Sequence, residues 1–322
     1  MNPETNQFEI KSLAPDYSIG IFHYDNNNVV FKLGLPFTKY GVVWKARFTS
    51  DNILLAFLSQ KRLRVLDIRS KEIIWETSRI IESEPNRDTL KWSPDNRYVV
   101  CNNNNLIEIL DFNSKKEVTI DGHSQNIISL SFDASGRYLV SIGFEREIKI
   151  WDLYDEFKEV YIYKSPYFSS FASYDSSLQE LSIVMDTHAG SGLKDINNIN
   201  KKGENIIRKL YLENDSVEDI VLHDTESHHV ENLQCIREYD MVFLDCDGTI
   251  NVYDSKTGLK IDKYTDARKM RLDNHTKILS FVKQNKIEKY RIPSKEELIR
   301  QAQDAFGAIE LSDEVKYQYF IK

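Results

Sequence analysis

Short runs of alternating apolar and polar residues follow one another along this chain, separated by clusters of Asp, Asn, Ser and Gly. That is the pattern of β-strands joined by turns. In the clearest stretch the runs read IISLSFD, YLVSIGF, EIKIWDL and EVYIYK, which predicts four consecutive strands over residues 127–164. Five segments close on a strand of one design: LRVLD at 63–67, IEILD at 107–111, IKIWD at 148–152, INVYD at 250–254 and IEKYR at 287–291. A sixth, IRKLY at 207–211, follows it more loosely. The bulky anchors Leu66, Leu110, Trp151, Leu210, Tyr253 and Tyr290 recur at intervals of 44, 41, 59, 43 and 37 residues. These lie near the 40 to 45 residues of a four-stranded propeller unit. The long interval contains THAGSGLKDINNINKKG, residues 187–203, a polar insertion whose removal restores the period.

The units also agree internally. Three residues before the anchor stand Leu63, Ile107, Ile148, Ile250 and Ile287, and six before it stand Gln60, Asn104, Glu145, Asp247 and Gln284. The second set consists of acids and amides, which satisfy backbone donors in tight turns. A four-stranded sheet cannot bury both of its faces alone, whereas sheets stacked around an axis bury them against each other. Seven units are predicted, near 8–38, 40–78, 86–120, 123–164, 166–222, 229–264 and 266–292. The last has three strands, so FEIKSL at 8–13 is expected to supply its outer strand and close the ring.

The best unit is DGHSQNIISLSFDASGRYLVSIGFEREIKIWDL, residues 121–153. With its Gly-His pair, strand-turn-strand core and terminal Trp-Asp, it resembles the WD40 repeat family, and the resemblance extends over about residues 8–292. The expectation is an all-β fold: a seven-bladed WD40-type β-propeller over 1–292, with insertion 187–203 in the fifth blade and a C-terminal helical extension over 293–322. By similarity, His123, Ser141 and Trp151 match the hydrogen-bonded structural residues of such blades, with Glu145 where the family has Asp. His229 and Asp247 fit a second copy, in which Phe243 and Tyr253 replace the hydroxyl and the Trp. In the tail, Ser294 and Glu297 form a capping box ahead of Leu298, Ala302 and Phe306 at four-residue steps. The tail resembles the C-terminal helices of bacterial WD40 signalling and defence proteins.

Composition narrows the function. A formal net charge of -8 without a basic block repels nucleic-acid phosphates. Three cysteines, Cys101, Cys235 and Cys246, form no CxxC pair and fit a reduced, cytoplasmic setting. The start of the chain lacks a signal-peptide pattern, and no run of about 18 apolar residues calls for a membrane.

The sharpest catalytic alternative is VFLDCDGTI at 242–250, which matches the haloacid-dehalogenase phosphatase signature with Asp245 as nucleophile and Asp247 as general acid. The strand-patterned remainder of the chain supplies no βαβ sandwich for it, and a propeller hydrolase with an axial site is the other enzyme reading. His223, Asp224, His228 and His229 suggest a metal, but neighbouring histidines on an extended segment point to opposite sides. AGSGLKD lacks the P-loop pattern. The expected function is therefore recruitment of a protein or peptide, with no cofactor and no metal. Its expected surface is the end carrying the loops between second and third strands and between consecutive blades. Tyr40, Arg87, Gln125, Tyr167, Phe168 and His228 are the candidate anchors, aromatic and Arg side chains being the usual hot spots.

Overall fold

The computed structural model of the chain describes residues 7–11, 17–25, 28–82, 89–186, 205–223, 230, 232–246, 248–273, 277–283, 286–293, 297 and 300. Its strands form seven antiparallel sheets in chain order. The first contains β1 (Gln7–Lys11), β2 (Tyr17–Asp25) and β3 (Asn28–Pro36), followed by a single helical turn, α1 (Phe37–Tyr40). The second contains β4 (Val43–Phe48), β5 (Leu54–Ser59), β6 (Arg62–Asp67) and β7 (Glu72–Glu76). The third contains β8 (Lys91–Trp92), β9 (Tyr98–Asn103), β10 (Leu106–Asp111) and β11 (Lys116–Asp121). The fourth contains β12 (Ile127–Phe132), β13 (Tyr138–Gly143), β14 (Glu147–Asp152) and β15 (Lys158–Lys164).

The fifth sheet is built from β16 (Phe168–Asp175), β17 (Glu180–Asp186), β18 (Asn205–Tyr211) and β19 (Ser216–Leu222). The sixth is built from β20 (Asn232–Ile236), β21 (Met241–Cys246), β22 (Thr249–Asp254) and β23 (Lys260–Thr265). Last come β24 (Ala267–Asp273), β25 (Ile278–Lys283) and β26 (Lys286–Arg291). The described chain divides into two compact units, Met1–Pro166 with Ala172–Leu181, and Tyr167–Phe171 with Ser182–Lys322.

The middle strands read as nearly continuous apolar runs because both of their faces are covered. In LLAFLS, Leu55 and Phe57 pack with Leu66 and Tyr40 on one face. On the other face, Ala56 and Leu58 pack with Leu63 and Val65 against Leu90, Val99, Cys101 and Leu110 of the third sheet. Between the third and fourth sheets, Tyr98, Val100, Ile107 and Ile109 meet Leu130, Leu139 and Trp151. In the second unit, Phe243, Ile250 and Val252 pack in the same way against Met270, Leu279 and Phe281. The fourth strands are more exposed than the middle ones, and in EIIWE of β7 half-buried and exposed positions alternate, since one side meets solvent.

The Asp that follows four of the anchors, Leu66, Leu110, Trp151 and Tyr253, builds the turn between third and fourth strands. Asp67 Oδ1 accepts from Arg69 N at 2.7 Å, Asp111 Oδ1 from Asn113 N at 2.9 Å, Asp152 Oδ1 from Tyr154 N at 3.0 Å and Asp254 Oδ1 from Lys256 N at 2.9 Å. Two of these carboxylates also pair with an Arg at the start of the second strand, Arg97–Asp111 at 3.2 Å and Arg137–Asp152 at 2.6 Å.

Two expectations are corrected. The segment FEIKSL does not complete the last sheet: Gln7–Lys11 pairs antiparallel with Gly20–Tyr24 of β2, and the last sheet has the order β24-β25-β26. The position equivalent to Ser141 in the sixth sheet is Leu244, not Phe243. Tyr253 stands opposite Val242 as Trp151 stands opposite Leu139, which puts Leu244 two residues further along the same face. The tail lies outside the described residues apart from Pro293 and from Glu297 and Arg300, the last two helical, and the 187–203 insertion lies wholly outside them. No helix among the described residues is long and apolar enough to cross a membrane.

Candidate interaction surface

Each sheet has two ends: one carries the turns between first and second and between third and fourth strands, the other the second-to-third turns and the connections to the next sheet. In the first unit the former end is cross-linked by polar side chains. Asn96 Oδ1 accepts from Ser50 N at 3.1 Å, Tyr154 Oη donates to Asp95 at 3.2 Å, and Ser176 Oγ donates to Asp133 at 2.8 Å.

At the connection end the linking segments are tied to the turn of the preceding sheet. Ile81 N donates to Lys61 O at 2.8 Å, and Arg62 Nη1 donates to Thr77 O at 2.7 Å. Asn103 Nδ2 donates to Ile80 O at 3.1 Å, and its Oδ1 accepts from Glu82 N at 2.9 Å. Ile127 N donates to Asn104 O at 2.9 Å and Asn105 Nδ2 to His123 O at 2.9 Å. Ser165 N donates to Arg146 O at 2.8 Å, and Arg146 Nη1 to Pro166 O at 3.0 Å. Loops held in this way lose little entropy when a partner docks.

Beneath the fourth sheet's connection lies a buried polar chain. Trp151 Nε1 donates to Ser141 Oγ at 2.9 Å, Ser141 Oγ is 2.7 Å from His123 Nε2, and His123 Nδ1 is 2.6 Å from Glu145 Oε1. Glu145 Oε1 also accepts from Ser124 N at 3.2 Å, so the chain fastens the connection to the sheet. Burial holds the His123 pKa below its usual 6.5, outweighing the Glu145 carboxylate, which pulls it upward. Glu145 Oε2 is buried without a hydrogen bond and occupies the space of a missing Cβ, 2.2 Å from where one would stand on Gly143. A larger residue at 143 would have to displace the Glu145 carboxylate from its place beside His123. Glu147 joins His123 and Glu145 in the one cluster of metal-ligand type found among the described residues. Both imidazole nitrogens already face hydrogen-bond partners, which leaves no lone pair for an ion.

The anchors read from the sequence are placed differently from one another. Tyr40 is not a surface group: it is 7% exposed and packs edge-on to Phe57 at 5.5 Å, because α1 turns its ring into the core. Gln125 and Tyr167 are exposed and Phe168 is half-buried. Arg87, His228, His229 and Asp247 lie outside the described residues. Sequence reading passed over Phe37, Val42, Trp44, Ile80 and Phe144, five exposed apolar side chains at the connection end of the first unit. The opposite end of that unit exposes Tyr154 and Leu178.

Asp245, the nucleophile required by the phosphatase alternative, is 2% exposed and accepts from Met270 N at 2.9 Å. Asn232 Nδ2 donates to Met270 O at 3.2 Å, so the two side chains satisfy the backbone where the β24 ladder shifts between Arg268 and Arg271. A carboxylate enclosed and engaged in this way has no path to a phosphoryl group.

Residues 114–152 match the family model described as WD domain, G-beta repeat. The chain carries a WD40 repeat. Among curated proteins, the target of rapamycin complex subunit wat1 of Schizosaccharomyces pombe is 27% identical over 75 residues, 22% of this chain, and the match spans only 23% of that protein's length. The WD40-type propeller fold extends well beyond the matched repeat. A chain of a mitotic checkpoint complex is similar with TM-score 0.62 at 13% identity, over 90% of this chain and 88% of that one. The RRP9 WD40 repeats are similar with TM-score 0.56 at 12% identity, over 78% and 76%. A hydrazine synthase of Kuenenia stuttgartiensis is similar with TM-score 0.65 at 14% identity, over 91% and 94%, a likeness of fold alone.

Proposed function

We propose that this WD40 protein is a non-catalytic scaffold or sensor subunit that recruits a protein or peptide through the connection end of its sheets. The observation that carries the reading is the pairing of rigidity with apolar exposure there: connections held by backbone hydrogen bonds present Phe37, Val42, Trp44, Ile80 and Phe144 to solvent. Exposed apolar groups on a rigid frame mark docking sites, since they bury surface at low ordering cost. The buried, hydrogen-bonded state of Asp245 and the membership of wat1 in a complex support the same reading. Residues 1–292 are proposed as the recruiting propeller and 293–322 as a helical extension. The cysteine pattern supports a cytoplasmic setting, and the tail resemblance a signalling or defence assembly.

Affinity purification of the tagged full chain tests this, with co-purifying proteins identified by mass spectrometry. A variant combining Ile80→Ser and Phe144→Ser is expected to lose partners that Leu178→Ser, at the opposite end, retains. Absence of any partner from the wild-type chain, or equal loss from both variants at unchanged stability, would overturn the proposal.

A further inference from the structure

We infer that the corner made by α1 and the first residues of β4 binds a peptide whose apolar side chain is flanked by carboxylates. This inference rests on the recruiting role proposed above and names the partner chemistry of one part of that surface.

The first observation is a bulge. The β4–β5 ladder steps from Val43 opposite Ser59 to Lys45 opposite Leu58, so Trp44 is an extra residue without a ladder partner. Such a residue is re-aimed away from the regular alternation. The fourth sheet has the same step between Ile127 and Ser129, and there the extra residue, Ile128, is only 7% exposed. At the equivalent place Trp44 is 41% exposed, with Phe37 at 49% and Val42 at 56% within eight residues of chain. A bulge that buries an aliphatic residue in one sheet turns the largest side chain toward solvent in another, and Trp is the commonest hot-spot residue.

The corner is also stiff. Gly41 N closes α1 onto Phe37 O at 2.7 Å, and Gly41 adopts φ 62, a left-handed conformation. A Cβ there would lie 3.2 Å from Gln60 Cγ, so the corner is pressed against the turn at 60–61.

The third observation is charge. Residues 37–45 and 60–61 carry Lys39, Lys45 and Lys61 and no acid, in a chain whose net charge is -8. Lys39 is exposed, its ammonium 5.1 Å from the Tyr40 ring centroid. Lys45 is buried beside Thr89, Nζ to Oγ1 2.7 Å. Lys61 meets Glu82 at 2.8 Å, but both side chains are more than half exposed and such pairs are weak enough to exchange. An aromatic and aliphatic patch beside two exposed lysines, Lys39 and Lys61, suits a peptide carrying an apolar residue between acids. A nucleic-acid strand fits less well, because the acidic remainder of the molecule repels its backbone.

The test uses an array of synthetic peptides with one Leu, Phe or Trp flanked by Asp and Glu, by Lys, or by Ser, probed with the full-length chain. Retention is expected to favour the acidic set over the basic set by about tenfold or more. Trp44→Ala is expected to weaken that binding about tenfold, and Lys39→Glu to reverse the charge preference. Phe37→Ser serves as a second apolar variant, and thermal melts check that each variant is folded. Equal retention of the three sets, unchanged binding by folded Trp44→Ala and Lys39→Glu, or displacement of the peptide by single-stranded oligonucleotide would overturn the inference. Loss of peptide preference while co-purified partners persist would reject this corner and leave the recruiting role standing; absence of both would reject the two together.

Discussion

At the scale of single residues, the Trp151–Ser141–His123–Glu145 chain is the most consequential polar arrangement among the described residues. Removing the shared hydroxyl with Ser141→Ala would leave the Trp151 indole N–H and a His123 nitrogen buried without partners, at a cost of about 2 kcal/mol. His123 adds a pH dependence. Because its folded pKa lies below 6.5, the unfolded chain takes up the proton first as pH falls, and folding stability rises with pH across that window. The contribution is present above 6.5 and is lost as pH drops toward the folded value. Urea unfolding of wild type and His123→Asn at pH 7.5 and 5.5 checks this: the wild type should lose more stability than the variant over that step. Equal losses would mean that the imidazole titrates normally in the fold.

At the scale of elements, the Asp that closes β6, β10, β14 and β22 shows how a repeated letter becomes a repeated turn. Asp152 is 4% exposed, accepts from Tyr154 N and pairs with Arg137 through three contacts between 2.6 and 3.0 Å. The Arg137 hydrogen bond comes first among the causes that hold its pKa below the usual 3.8, ahead of burial, which opposes it. A depressed carboxylate stabilises the fold above its unfolded pKa and ceases to do so as pH falls below about 4. Asp152→Ala is therefore expected to lower stability by about 2 kcal/mol at pH 7, and the difference from wild type should shrink as unfolding is followed down to pH 3. A constant difference across that range would assign the loss to packing instead of charge.

The same elements show what the linear pattern could convey. The anchors, the aliphatic residue three before them and the Asp after four of them were legible because each recurs at a fixed place in a strand whose two faces are both buried. Trp44 was not, since VVW reads as a short apolar strand start and nothing in the letters marks an extra residue in the ladder. Tyr40 was misplaced because a four-residue helical turn reversed its direction. The FEIKSL strand was correctly read as a strand but paired with the wrong neighbour, which no periodicity encodes.

For the whole molecule, the thiols offer a probe of cohesion that needs no partner. Cys101 sits in β9 within the cluster that joins the second and third sheets, fully enclosed, and burial pushes its pKa up to about 12, with Glu108 adding to the effect. Only the thiolate attacks an alkylating agent, so at pH 8 the folded chain presents on the order of 10⁻⁴ of this group in reactive form, behind packed side chains. Modification must then await opening of the core between these sheets. Cys235, half-buried at the edge of another cluster, should react earlier. Pulsed iodoacetamide labelling along a urea series, read by peptide mass spectrometry, is expected to leave Cys101 untouched until the main unfolding transition and to label it within that transition. Labelling in the absence of urea at the rate of a free thiol would show that the sheets separate locally, and would remove the rigid frame on which the proposed recruiting surface depends.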